Sequence, residues 1–113
     1  MDVVLISIGG ALGASLRYTI GQWLRSTSFP WATLVVNVLG SFILGLVLFS
    51  SSPEHLVLLV GVGFCGAFTT FSSFSFQTVE LWERGTPVLA VGNATANLLV
   101  SLTGYAVAWV LVA

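Results

Sequence analysis

Short polar connections divide the chain into four long apolar stretches, at residues 3–24, 32–49, 56–79 and 87–112. Each is a run of Leu, Val, Ile, Phe, Ala and Gly broken by scattered polar positions. A helix needs about 20 residues to cross about 30 Å of hydrocarbon, so the pattern predicts four transmembrane helices in one domain. The connections RSTSFP at 25–30, SSSPEH at 50–55 and ERGTP at 83–87 each hold a proline, which suits a first helical turn or the turn before it. Trp23, Trp31 and Trp82 fall at predicted helix ends and Trp109 near the last one, where an amphipathic ring fits the membrane–water interface.

Composition turns the pattern into a class. Hydrophobic residues make up 57% of the 113 positions and charged ones 6%, against roughly 25% charge in an average soluble domain. Mean hydropathy is +1.05. A charged surface adequate for solubility cannot be built from this, so an all-α, multi-pass protein of the cell (inner or plasma) membrane is expected. The segment MDVVLISIGG lacks a basic stretch before its apolar run, so the first helix is expected to stay rather than be cleaved. Cys65 is the single cysteine, which excludes an intrachain disulfide and fits a small buried thiol. A net charge of −1 offers no basic surface to nucleic acid, and no lipidation signal appears.

Four spans place both termini on one side, with Arg25 and Arg84 on the other. The positive-inside rule makes that arginine side cytoplasmic, on a bias of two arginines against none. Glycines recur within the first three stretches, with small-xxx-small pairs at Gly9/Gly13 and Gly10/Ala14 that let backbones approach closely. Four short, closely packed helices leave little interior. A polar pathway therefore fits better where two copies meet, most simply as a twofold dimer.

Several polar residues exceed what packing requires. Arg17 lies well inside the first stretch, so it needs a partner, a water-filled cavity or a snorkelling route to the interface. Asn37 lies about six residues into the second stretch and must pair its amide, structurally or along a path. Ser41 follows one turn later on the same face. In the third stretch, GFCGAFTTFSSFSFQT at 63–78, Gly61, Gly63 and Gly66 weaken the helix before Thr69 and Thr70. An interrupted membrane helix is tolerated where its freed backbone lines a cavity or holds an ion. Phe71 and Phe74 then share a face, as do Ser72 and Ser75. Ring edges carry positive potential, so inward edges and hydroxyls together solvate an anion weakly; plain aromatic packing with back-bonded serines is the structural alternative. Asn93, Asn97, Ser101 and Tyr105 recur every four residues, giving the last helix one polar face that lines a path or an interface. The chain has no HExxH, GxSxG or Walker sequence and no midplane carboxylate pair, so no enzyme is expected.

GGALGASLRY at 9–18, TLVVNVLGSFILG at 33–45 and GFCGAFTTFSSF at 63–74 closely resemble, in order and spacing, the fluoride-exporting channels of the CrcB family. The resemblance implies passive fluoride export through two pathways at the interface of an antiparallel, dual-topology dimer, with a structural sodium ion at the break in the third helix. It implies Gly66 and Thr69 as backbone-carbonyl ligands for sodium. Asn37, Phe71, Phe74 and Ser101 would line the fluoride path, and Ser41, Ser72, Asn97 and Tyr105 extend it on the reading above. Arg17 corresponds to a vestibule arginine. Many members carry a tyrosine one turn before the fourth-helix serine; here that position is Asn97, with Tyr105 one turn after Ser101. The partner is expected to be a second copy, or else a homologous chain of opposite orientation. Two other classes stand beside this one. A small four-span exporter of cationic drugs would carry a first-helix glutamate, which is absent here. A non-transporting membrane assembly protein would use the same glycines and hydroxyls for packing alone.

Overall fold

The computed structural model describes residues 1–112, and among them every regular element is helical. Helix α1 spans Asp2–Trp23 and α2 spans Trp31–Phe49. The third span, Glu54–Glu83, is composite. It starts as one turn, α3 (Glu54–Leu56), widens into a π-helical run (Val57–Cys65), returns to a turn, α4 (Gly66–Phe68), and stops. Thr69 and Thr70 are extended, with ψ 160° at the first and φ −149°, ψ 121° at the second. Helix α5 (Phe71–Glu83) resumes the crossing and α6 (Pro87–Val112) completes it. All four spans are long and apolar enough to cross a membrane; α1, at 22 residues, is about 33 Å long at 1.5 Å per residue.

Burial runs opposite to that of a soluble protein. Val88, Val91, Leu98 and Val110 on α6 are exposed while Asn93 and Asn97 on the same helix are buried. Trp23, Trp31, Trp82 and Trp109 are all exposed at helix ends. Apolar exteriors around a hydrogen-bonded interior are what hydrocarbon as solvent selects. This is a multi-pass membrane protein.

The third span departs from expectation in two ways. It runs to Glu83, four residues beyond the predicted end, with Glu80 and Arg84 paired at 3.1 Å across the last turn. Its glycines also do not make the break. Gly61 and Gly63 sit in the π-helical run, and Gly63 belongs to a close contact with α1. A Cβ at Gly9 would overlap the Leu59 carbonyl oxygen, and one at Gly13 would overlap that of Phe64. A Cβ at Gly63 would stand 2.7 Å from the Ile6 carbonyl oxygen. The Gly9/Gly13 pair thus does what its spacing predicts, against the π-helical run. Helix α2 packs chiefly on α6, where Gly45 admits Ala108. The connection between α1 and α2 is tied to the end of α5 by Arg84, whose Nη1 donates to the Thr27 carbonyl at 2.6 Å. Arg25 and Arg84 therefore share one end.

The contact at Gly9 and Gly13 abuts backbone, which cannot swing away. Gly13→Val is expected to lower stability by about 1–3 kcal/mol, read by thermal unfolding in detergent. Gly92→Ala, in the interior of α6 with nothing within 4 Å of the added carbon, is expected to be neutral or stabilising by up to about 1 kcal/mol.

Candidate functional site: a cavity at the helix break

The break exposes peptide groups where lipid offers no partner, and the structure supplies one from α2. Asn37 Oδ1 accepts from the Thr70 N–H at 2.9 Å, and Asn37 Nδ2 donates to the Thr70 carbonyl at 3.2 Å. The side-chain amide thus pairs with one backbone residue on both sides, as a neighbouring strand would. Thr70 Oγ1 accepts from the Ser73 N–H at 3.1 Å and caps α5. Gly40 makes room for the break, since a Cβ there would overlap Thr69 Cγ2.

These bonds divert two helical donors. In a continuous helix the Thr70 N–H would serve the Gly66 carbonyl, and the Ser73 N–H that of Thr69. Both are committed to side chains instead. Gly66 and Thr69 line the same cavity, and nothing lies within 4 Å of a Cβ added at Gly66. Two carbonyls without their helical donors, beside open backbone, fit a cation held by main-chain oxygens. Among the described residues no cluster of His, Cys, Asp and Glu would hold a metal by side chains.

The cavity encloses about 630 Å³ between α2, the π-helical run, α5 and α6. It brings together Asn37, Ser41, Gly66, Thr69, Phe71, Phe74, Asn97 and Ser101, and no charged residue lines it. The Phe71 and Phe74 rings are 5.8 Å apart and tilted by 48°. Phe71 is 78% exposed, so the cavity is open on its side. Ser101 Oγ is buried and without a hydrogen-bond partner among the described residues.

Two of the sequence-predicted path residues fall outside. Tyr105 packs against Phe49, ring centroids 4.9 Å apart and planes tilted by 56°, and abuts Gly45. The four-residue spacing drifts around a 3.6-residue helix, which carries Tyr105 from the cavity face into the α2 contact. Ser72 is exposed on α5, its hydroxyl 3.5 Å from Thr70 Oγ1, and is not part of the cavity wall.

Arg17 lines a second cavity of about 380 Å³ with Arg25, Thr33, Thr70, Ser73 and Gln77. Thr70 belongs to the walls of both cavities, so the break stands between an arginine-bearing mouth and the uncharged chamber. Gln77 Oε1 is buried without a donor among the described residues. Gln77 lies four residues from Ser73 and so on its face, a spacing that carries no functional meaning until Arg17 and Arg25 are beside it.

The sequence profile of CrcB-like proteins (Camphor Resistance, CrcB) matches residues 4–110. The chain belongs to the CrcB family. It is 50% identical over 105 residues to "Fluoride-specific ion channel FluC 2" of Haloarcula marismortui, covering 93% of this chain and 88% of that one. It is 48% identical over 110 residues to "Fluoride-specific ion channel FluC 1" of Halobacterium salinarum, covering 97% and 92%. "Fluoride-specific ion channel FluC 3" of Methanosarcina acetivorans is 43% identical over 106 residues, covering 93% and 96%.

Asn37→Leu removes the partner of both Thr70 peptide groups within a membrane span. It is expected to cost about 2–5 kcal/mol, measured by denaturation in micelles. Ser41→Ala, one turn along the same helix, is expected to stay within about 0.5 kcal/mol of the unaltered chain.

Proposed function

We propose that this chain conducts fluoride passively across the membrane, through pathways completed where a second copy packs antiparallel against the cavity at the break. The observation that carries the reading is the chamber itself. Its wall offers hydroxyls, aromatic rings and peptide groups without a single charge. The relatives named as fluoride-specific channels supply the identity of the ion.

Fluoride holds its water tightly, so a conducting path must replace that shell without gripping the ion. Several moderate contacts in series do this, where one strong site would trap it. The Ser101 hydroxyl, with no hydrogen-bond partner among the described residues, is the donor most available to an anion. Phe71 and Phe74 line the chamber with rings tilted by 48° to each other; edges turned inward would favour an anion weakly through their positive potential. Asn37 contributes wall and shape. Ser41 and Asn97 line the same chamber, whereas Ser72 and Tyr105 lie beyond it. Arg17 and Arg25 give the mouth a positive potential that concentrates anions.

The exposure of Phe71 and Gly66 favours a covered face. A copy related by a twofold axis in the membrane plane would double the carbonyls of Gly66 and Thr69 at one place. Those oxygens would then hold a sodium ion, which supplies positive charge that fixes the two breaks together. Orientation in both senses follows from such a pair, with fluoride leaving the cell down its gradient.

The purified chain reconstituted alone into potassium-loaded liposomes is expected to release fluoride on valinomycin addition and to retain chloride. Folded protein that releases neither would overturn the homodimer; if adding a homologous chain restores nothing, channel function falls with it. Phe71→Ile and Phe74→Ile are each expected to slow fluoride release about tenfold or more while the protein stays folded, and replacing all sodium by N-methylglucamine is expected to do the same.

A further inference from the structure

Asn93 is fully buried and lines neither cavity, yet its amide begins a chain of hydrogen bonds that ends at the break. Asn93 Nδ2 donates to Thr78 Oγ1 at 2.8 Å. Asn97 Nδ2 donates to Asn93 Oδ1 at 3.0 Å and to the Asn93 carbonyl at 2.9 Å. Asn37 Nδ2 donates to Asn97 Oδ1 at 2.9 Å, and Asn37 in turn holds both peptide groups of Thr70.

The direction of this ladder is fixed by its backbone end. The Thr70 N–H is a donor only and the Thr70 carbonyl an acceptor only. Asn37 must therefore turn its oxygen to the first and its nitrogen to the second. The same nitrogen then requires an oxygen from Asn97, and the nitrogen of Asn97 requires one from Asn93. A single amide rotated by half a turn would set donor against donor, which is costly at side chains as buried as Asn93 and Asn97. Both amide hydrogens of Asn37 and both of Asn97 have acceptors inside the protein.

We infer that Asn93 and Asn97 are positioning residues, which hold the Asn37 amide in the rotation that Thr70 demands and so help set the shape of the helix break, Asn93 from outside both cavities. On this account Asn97 acts through Asn37 and not as an anion donor, although it borders the chamber. The effect on fluoride release rests on the function proposed above; the effect on the break does not.

The test uses full-length protein in lipid nanodiscs and reads hydrogen exchange at the Thr70 amide by NMR, with fluoride release from liposomes measured in parallel. Asn93→Leu breaks the ladder at its far end. Asn93→Leu combined with Thr78→Val does so while removing both polar partners, the arrangement that best preserves folding. In both variants the Thr70 amide is expected to exchange about tenfold faster or more, with the α1 and π-helical amides unchanged. Fluoride release is expected to fall in step. Thr70 exchange within about twofold of the unaltered chain in the double variant would overturn the inference. So would faster exchange spread equally through α1 and the π-helical run, which marks simple destabilisation. Faster Thr70 exchange in a chain that releases no fluoride even when unaltered would leave the ladder standing and remove the proposed function.

Discussion

One side-chain amide holds this protein's central irregularity in place. A membrane span that stops being helical leaves peptide N–H and C=O groups facing a medium with no hydrogen bonds to give, at several kcal/mol for each unsatisfied group. Asn37 meets both groups of Thr70 at once. With that pair made, Thr70 is free to be extended, its hydroxyl caps α5, and the crossing resumes. The Gly66 and Thr69 carbonyls give up their helical donors, and the chamber acquires its polar floor. Without the pair both peptide groups of Thr70 would lose their partner inside a membrane span.

The rest of the bundle makes that pairing affordable. Glycines on α1 bring its backbone onto the carbonyls of the π-helical run, and Gly40 opens the space that Thr69 fills. Close approach takes the place of the hydrophobic drive, which lipid removes. Polar groups then collect inside, where amides from α2 and α6 satisfy one another, while leucines, valines and tryptophans face outward. The cavity that results is uncharged but rich in dipoles. Such a lining suits an ion that must exchange water for weak contacts and then leave.

Much of this was legible in the sequence. Helix starts and ends followed the prolines and tryptophans within a few residues, because bilayer thickness fixes span length. The break was visible at Thr69 and Thr70, and Asn37, Phe71, Phe74 and Ser101 do meet at one chamber. The cause of the break was not legible: glycine content pointed to weakness, whereas the break depends on an amide 33 positions away. The π-helical run was also hidden, since its residues differ little from those of an α-helical span. Asn93, Asn97, Ser101 and Tyr105 read as one stripe but divide three ways, into ladder, chamber and helix contact. Strict four-residue spacing slips on a real helix, and neighbours in space decide which residues remain together. Gln77 carried a signal in its spacing from Ser73 that gained meaning only beside Arg17 and Arg25.

The proposed pore is lined by dipoles, with no charged residue in the chamber wall, so its flux should follow the fluoride gradient alone. The decisive measurement is the reversal potential of the reconstituted chain in a planar bilayer under a tenfold fluoride gradient, with and without a pH gradient. Passive conduction predicts reversal near 59 mV in magnitude, unmoved by pH difference or by added chloride. A reversal potential that shifts with the pH gradient would mean coupled transport and contradict the account.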